Sequence, residues 1–242
     1  MDDELDQLLD NLKLRRIREI LPRELDTATR EGVSYRDFLA RLLRQEYHSQ
    51  QDRFLEYRIE RACLPERWSL LTFPWERQPG VSKAVIEQLA ELDFISKASN
   101  IVLVGDTGVG KTGLAGAILL KALQAGYRGL FVKAQDLFDD MYRSLADHSS
   151  RALLKRLARL DCLLIDELGY LNLKPEQSNI FFKLMEDRYS GRKATIITTN
   201  LPYDEWYAFL GQKDMVGALL DRLRHRCTTI RIDGNSLRTP QG

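Results

Sequence analysis

The sequence is short of cysteine, of long apolar runs and of net charge. Its three cysteines, Cys63, Cys162 and Cys227, are too widely spaced for a zinc or redox motif, and an odd number suits a reducing cytoplasm. No apolar run approaches the length of a membrane span, and the acidic first residues lack a signal-peptide pattern. With 36 basic and 35 acidic residues the formal net charge is +1, so any nucleic-acid contact must be local. These absences favour a cytoplasmic protein without membrane contact.

The first part of the 242-residue chain has the pattern of a small helical module. Residues 4–21 place leucines and isoleucines at near-helical spacing, and Pro22 is expected to interrupt this stretch. A long charged helix is predicted from about residue 35 to about residue 63, after a helix start at Ser34. We therefore predict an all-helical N-terminal domain over residues 1–65.

Residues 66–242 form the second predicted domain. It begins with an aromatic stretch over residues 66–80, which either flanks an adenine base or packs between the domains. Further along the chain, apolar strand-like runs alternate with helical patterns, and this alternation predicts a parallel sheet joined by right-handed crossovers. The second domain is therefore predicted to be of the α/β class, and the first to be an appendage that contacts a partner or DNA.

The strongest motif lies at residues 101–112, with the sequence IVLVGDTGVGKT. A buried strand, a G-x-x-x-x-G-K-T loop and a helix follow one another here, which is the context of a Walker A phosphate loop. Backbone N–H groups of such a loop and the N-terminus of its helix bind phosphate oxygens. Lys111 is placed to reach the β- and γ-phosphates, and the Thr112 hydroxyl is placed to ligate Mg²⁺. The motif predicts these nucleotide-binding residues: Gly105, Asp106, Thr107, Gly108, Val109, Gly110, Lys111 and Thr112.

A second motif is the apolar strand that ends in Asp166 and Glu167, which has the pattern of a Walker B element. Active sites of parallel sheets lie at the carboxyl ends of their strands, where both acids fall. Asp166 is placed to hold the hydration shell of Mg²⁺. Glu167 is placed to polarise the attacking water as a general base. The sequence therefore predicts hydrolysis of a nucleoside triphosphate.

Three polar residues further along the chain are additional candidates. Asn200 ends a predicted strand, where it either orients the lytic water or senses the γ-phosphate, or else forms a turn before Pro202. Arg222 lies on a predicted helix from which a guanidinium can reach into the site of a neighbouring subunit. Arg238 follows a Gly-Asn-Ser turn and is placed to close on the nucleotide of its own subunit.

Basic side chains are concentrated between residues 143 and 159, in two predicted helices where Asp147 is the sole acid. At helical spacing, Arg151, Lys155 and Arg159 share one face. That face either follows a phosphate backbone or is simply solvated. Because residues 151–159 include no aromatic side chain, duplex DNA is favoured over single strands. The candidate DNA contacts are Arg143, Arg151, Lys155, Arg156 and Arg159.

Together these motifs resemble the IstB-like family, AAA+ helper ATPases of insertion-sequence transposons that are related to bacterial replicative helicase loaders. The resemblance covers about residues 66–238. Its most specific parts are Asp-Glu-Leu-Gly-Tyr, Asp-Arg-Leu-Arg-His and Gly-x-Ser-x-Arg, since Walker motifs alone indicate only a P-loop ATPase. The matching segments are 100–112, 164–170, 186–189, 197–200, 221–225 and 234–238, together with Trp206. This sequence departs from the family at Asp106, where Pro is usual, and at Gly113, where a bulkier residue is common.

The resemblance implies a P-loop AAA+ fold with a parallel five-stranded sheet, a helical insertion of the initiator and loader type and a small C-terminal lid. It implies ATP and Mg²⁺ bound between subunits, and these roles: Lys111 and Thr112 in Walker A, Asp166 and Glu167 in Walker B, Asn200 as sensor 1, Arg222 as arginine finger and Arg238 as sensor 2.

The family's activity implies a function in the bacterial cytosol or nucleoid. The protein would form a homo-oligomer on duplex DNA, as an open spiral or stacked assembly, with ATP hydrolysis controlling assembly. It would select target DNA and recruit or stimulate its cognate transposase. The alternative is a replicative helicase loader that binds a helicase and single-stranded DNA.

Overall fold

The computed structural model describes residues 2–169, 171–211 and 213–237. Contacts divide the chain into two compact units, one ending at Tyr57 and the other beginning at Arg58. The last turn of the long third helix belongs to the second unit: Arg58 Nε donates to Leu123 O at 2.9 Å, and Phe131 N donates to Ala62 O at 2.7 Å. The domain boundary at residue 65 remains a prediction. No helix among the described residues is long and apolar enough to cross a membrane.

The first unit consists of helices whose apolar sides meet in a small core of Leu9, Ile17 and Leu42. Ser34 begins the third helix as predicted, because its Oγ accepts a hydrogen bond from Asp37 N at 3.2 Å. The helices are α1 (Asp2–Asn11), α2 (Arg15–Glu31) and α3 (Tyr35–Arg61).

The expected interruption at Pro22 is wrong, since Pro22 lies inside α2. The chain turns instead at Lys13, whose φ is 59°. The carboxylate of Glu46 on α3 supplies the cap of α2, accepting from Arg16 N at 2.7 Å and Ile17 N at 3.0 Å. A proline inside a helix costs about 3 kcal/mol. The tertiary cap and the burial of Ile17 offset that cost, which the local sequence does not reveal.

The second unit contains one sheet of five parallel strands in the order β2-β3-β4-β1-β5. The predicted five-stranded parallel sheet is confirmed. Because β4 lies between β1 and β3, the loop after β1 and the carboxyl ends of β3 and β4 share one edge of the sheet. The strands are β1 (Asn100–Gly105), β2 (Gly129–Lys133), β3 (Cys162–Leu168), β4 (Ala194–Thr199) and β5 (Cys227–Ile232).

Helices cover both faces of this sheet, which is why its central strands read as continuous apolar runs. Along β1, Ile101 and Leu103 join the core on one face, whereas Val102 and Val104 join the core on the other. The helices are α4 (Lys83–Leu89), α5 (Asp93–Ser96), α6 (Lys111–Gln124), α7 (Ala134–Ala146), α8 (Ser150–Ala158), α9 (Pro175–Ser190), α10 (Trp206–Leu210) and α11 (Lys213–His225). Helices α7 and α8 form the predicted insertion between β2 and β3.

The aromatic stretch before α4 packs within the second unit. Trp68 lies against two glycines of α6: an added Cβ at Gly116 would lie 2.1 Å from the indole, and one at Gly113 would lie 3.4 Å from it. Gly116 therefore makes room for this ring, whereas a Cβ at Gly113, a departure from the family pattern, would only be in van der Waals contact with it. Phe73 packs against Trp75 with ring centroids 4.7 Å apart and ring planes at 59°, and it borders the phosphate loop at Gly110.

The small C-terminal lid is not formed by the described residues that follow β5, residues 233–237, which contain no helix. They run instead along the phosphate loop, where Leu237 N donates to Gly108 O at 2.9 Å. At the start of the same segment, Asp233 O lies so close to Gly80 that a Cβ at position 80 would clash with it.

Candidate active site

The phosphate loop joins the end of β1 at Gly105 to the start of α6 at Lys111. Gly108 and Gly110 have φ values of 87° and 95°, in the left-handed region that favours glycine. Space also excludes side chains at both positions, since an added Cβ would lie 2.1 Å from Ser236 Oγ at Gly108 and 2.9 Å from the Phe73 ring at Gly110. The loop therefore has the curled backbone that phosphate binding requires.

The ammonium group of Lys111 is held against the start of this loop. Nζ donates to Gly105 O at 2.8 Å and to Asp106 O at 2.7 Å. The lysine is mostly buried, which places a positive charge beside the N-terminus of α6. Asp106 itself is exposed, and its backbone carbonyl, rather than its carboxylate, contacts the lysine.

Asp166, near the end of β3, is 1% exposed and lies beside the phosphate loop. Its Oδ1 accepts hydrogen bonds from Thr112 Oγ1 at 2.9 Å and from Thr198 Oγ1 at 2.6 Å. Burial raises the pKa of this carboxyl, and the two hydroxyl donors act in the opposite direction. Its Oδ2 accepts no hydrogen bond from the residues that the structure describes. A hydroxyl and a carboxylate in contact form the oxygen-rich donor set that Mg²⁺ prefers.

Glu167 and Asn200 lie at the carboxyl ends of neighbouring strands. Glu167 is exposed and has a φ of 58°, an uncommon value for a residue other than glycine. Asn200 follows β4, and its Oδ1 is buried without a hydrogen-bond partner among the described residues. Burying a hydrogen-bond acceptor without a donor costs free energy. This oxygen is thus available to a donor that is not part of the chain, such as a water molecule.

Arg222 is not close to the phosphate loop of its own chain. It lies on α11, and its Nη2 is 3.9 Å from Glu186 Oε1 on α9. The groove between these helices is also lined by Asn100 and Thr195, which stand at the amino ends of β1 and β4. Arg222 therefore lies at the sheet edge opposite the Walker motifs. Arg238 is outside the described residues.

The candidate DNA contacts lie on the two inserted helices. Arg151, Lys155 and Arg156 on α8 and Arg159 directly after it are exposed, and none forms an ion pair with any residue that the structure describes. Arg143, on α7, pairs weakly with Asp140 at 3.5 Å. The structure thus presents four unpaired cations, three on one short helix and one directly after it.

Three residues that sequence reasoning missed support either the candidate active site or the helix that carries most of the candidate DNA contacts. Thr198 contacts both Walker B acids through hydrogen bonds to Asp166 Oδ1 and from Glu167 N. Arg188 is buried and donates to Leu157 O and Leu160 O at the end of α8. Gln78, fully buried, donates from Nε2 to Val109 O at 3.0 Å. Thr198 and Arg188 fall in segments that carry the family resemblance, whereas no sequence signal marked Gln78.

Known proteins are similar to this chain along nearly its whole length. Residues 7–241 match a family described as IstB-like ATP binding protein. The chain is 34% identical over 235 residues to a protein described as an ATP-binding protein of insertion sequence IS21 from Pseudomonas aeruginosa, covering 97% of this chain and 88% of that protein.

Solved structures share the fold of about two thirds of this chain. DnaI is similar with a TM-score of 0.60 and 23% identity, covering 69% of this chain and 92% of DnaI. The DnaC helicase loader is similar with a TM-score of 0.54 and 24% identity, covering 62% of this chain and 88% of DnaC. These likenesses and the sheet confirm the predicted AAA+ fold, and the match with an ATP-binding family confirms ATP as the ligand. The chain therefore belongs to the IstB-like family, and it is an AAA+ ATPase.

Proposed function

We propose that this ATPase is a transposition helper that oligomerises on duplex DNA, selects target DNA and recruits or stimulates its cognate transposase. In this role it works in the bacterial cytosol or nucleoid. The observation that carries the proposal is the row of unpaired cations on α8, which belongs to the same compact unit as the phosphate loop. Similarity to an insertion-sequence protein supports the connection with transposition.

The residues around the phosphate loop fit ATP and Mg²⁺. Lys111 and the loop N–H groups bind the β- and γ-phosphates, while Thr112 Oγ1 and Asp166 are the groups that would hold the metal. When bound, Mg²⁺ neutralises charge on the phosphate oxygens. Glu167 accepts the proton of the attacking water as general base, and the buried Oδ1 of Asn200 accepts a hydrogen bond from the same water.

Arg222 supports the oligomeric part of the proposal. Because it lies at the far edge of its own sheet, it is placed to serve the nucleotide of a neighbouring subunit. A guanidinium from the neighbour stabilises charge on the transferring phosphoryl group. ATP would thereby stabilise the assembly, and loss of the γ-phosphate would loosen it. Arg238 remains the proposed sensor 2.

The DNA-binding role can be tested with the full chain carrying Glu167→Gln, a change intended to retain ATP while slowing hydrolysis. Fluorescence anisotropy is measured on labelled duplex and single-stranded DNA of equal length, with and without ATP and Mg²⁺. We expect duplex binding that requires ATP and gives a large complex on sedimentation. A preference for single strands, or no binding to either DNA, would contradict the proposal.

The location of the DNA surface is tested by reversing the charge of Arg151, Lys155 and Arg159 together. If each contacts a phosphate, the slope of log affinity against log salt concentration should fall by about 2.7. The matched control reverses three exposed cations elsewhere in the second unit: Arg77, Lys121 and Arg192. An equal loss of affinity in both triple variants would mean that α8 is only a solvated face.

A helicase loader is the second candidate, and one observation favours it. Tyr142, on α7, is 45% exposed, and Lys174 Nζ lies 4.0 Å from its ring centroid. Exposed aromatic rings beside cations are typical of single-strand binding. Similarity in fold to the DnaC helicase loader is compatible with this function. Single-strand preference in the anisotropy experiment, abolished by Tyr142→Ala, would support it.

A further inference from the structure

The end of β3 is irregular where it carries the Walker B acids. The parallel ladder pairs Ile165 with Ile197 and then Leu168 with Thr199, so two residues of β3 face one residue of β4. This count defines a β-bulge, with Asp166 and Glu167 opposite Thr198. Bulges next to active sites re-aim side chains that a regular strand would point to opposite faces. Thr198 is therefore the residue of β4 that faces the proposed catalytic pair.

The Thr198 hydroxyl forms hydrogen bonds between β3 and β4 at the point where the regular pairing of the strands is interrupted. It donates its proton to Asp166 Oδ1 at 2.6 Å and accepts a hydrogen bond from Glu167 N at 2.9 Å. A hydroxyl has one proton and two lone pairs, so it can bond both acids in this way at the same time. Thr198 and Asp166 are both buried, which shields the hydrogen bond between them from competing water.

The backbone of Glu167 needs such support. Its φ of 58° lies in the left-handed region, where a residue other than glycine is strained. A strained conformation at an active site persists only if its surroundings fix it. In this structure Glu167 N bonds to a side chain of the neighbouring strand. Loss of that hydroxyl would allow the Glu167 backbone to relax toward an ordinary strand conformation and would move its carboxylate.

We propose that Thr198 is a positioning residue for ATP hydrolysis, which holds the metal-binding Asp166 and the general base Glu167 in their working arrangement. The inference rests on the roles proposed above for these two acids. Thr198 touches neither nucleotide nor water in this account and acts through its two partners. It also connects β4, the strand that directly precedes Asn200, to the Walker B element.

The test compares kcat and KM for ATP in full-length variants, under conditions in which the wild type hydrolyses ATP. A catalytic group displaced by about 1 Å loses on the order of 100-fold in rate, so we expect Thr198→Val to lower kcat by about 10- to 100-fold. KM should change by less than about threefold, because the phosphate loop is untouched. Thr198→Ser, which keeps the hydroxyl, should restore kcat to within about threefold of wild type.

A matched control lies on the same strand. Thr195 is equally buried, and its Oγ1 accepts a hydrogen bond from Arg188 Nε at 2.9 Å, far from the Walker motifs. Thr195→Val should therefore lower stability without lowering kcat by more than about twofold. Rates are compared well below each variant's unfolding midpoint, measured by circular dichroism. If Thr198→Val does not fold, Thr198→Ala removes the same hydroxyl without adding a methyl group.

The double variant distinguishes this inference from the proposed function. If Thr198 acts largely through Glu167, adding Thr198→Val to Glu167→Gln should lower kcat by less than about threefold further. A nearly unchanged kcat in Thr198→Val, equal losses in the Val and Ser variants, or multiplicative losses in the double variant would each overturn the positioning role. A wild-type kcat in Glu167→Gln would instead refute the proposed function of Glu167 itself.

Discussion

Replacing Arg188 by Met should detach the proposed DNA-binding helix from the sheet. Arg188, on α9, is 1% exposed, and its guanidinium donates to Leu157 O at 2.7 Å, Leu160 O at 3.1 Å and Thr195 Oγ1 at 2.9 Å. A further hydrogen bond goes to Ala194 O. Burial lowers the pKa of this guanidinium to about 10, so it remains protonated at neutral pH. One buried cation thus satisfies the end of α8 and the start of β4.

The magnitude follows from the groups that would lose a donor. Leu157 O and Leu160 O stand at the C-terminal end of α8, where backbone carbonyls have no partner within the helix. Each buried carbonyl left unpaired costs about 1–3 kcal/mol, and removing the buried charge recovers part of that loss. We therefore expect Arg188→Met to lower the free energy of unfolding of the second unit by about 2–4 kcal/mol.

Urea unfolding and hydrogen exchange resolved by helix would measure this effect. Exchange should accelerate more in α8 than in α6, and duplex affinity should fall because α8 carries the unpaired cations. The control is Lys183→Met on the same helix, whose ion pairs with Glu186 and Asp187 are exposed, so a much smaller shift of the urea midpoint is expected. Unchanged protection of α8 in Arg188→Met would refute this account of the guanidinium.

Two further predictions concern assembly and the N-terminal unit. Mixing the Lys111→Ala and Arg222→Ala proteins should restore part of the ATPase activity that each lacks alone. In the mixture, Arg222 of a Lys111→Ala subunit can meet the intact phosphate loop of an Arg222→Ala neighbour. No recovery on mixing would argue against action between subunits. Glu46→Gln should destabilise the first unit by about 1–3 kcal/mol, because its carboxylate caps α2. Burial raises the pKa of Glu46, but hydrogen bonds from Ile17, Gln50 and Arg16 outweigh it, so the folded-state pKa is lowered. The stabilisation by this carboxylate is present above the unfolded pKa of about 4.3 and is lost as pH falls through the folded value. Hydrogen exchange in α2 should therefore depend less on pH in Glu46→Gln than in the wild type over this acidic range.

The sequence by itself determined the features that depend on neighbouring residues. The run from Ile101 to Thr112 predicts a strand, a glycine loop and a helix, because β-branched residues, glycines and a helix N-terminus act locally. The long helix predicted from about residue 35 to about residue 63 also forms, as Tyr35–Arg61, since its start at Ser34 and its apolar spacing are defined along the chain. Asp166 and Glu167 could be predicted from the sequence because they directly follow the apolar residues of β3.

Only the tertiary structure decided which distant groups meet. Thr198 bonds Asp166 across 32 positions of sequence, and Glu46 caps α2 across about 30, and no periodicity along the chain encodes such pairs. The turn expected at Pro22 was wrong because a cap from another helix outweighed a local preference. Arg222 stood in a recognisable motif, but its separation from its own phosphate loop follows from its position beside the amino ends of β1 and β4, at the edge of the sheet opposite the loop. Side chains that bond buried backbone groups across the fold respond to three-dimensional proximity, which only folding supplies.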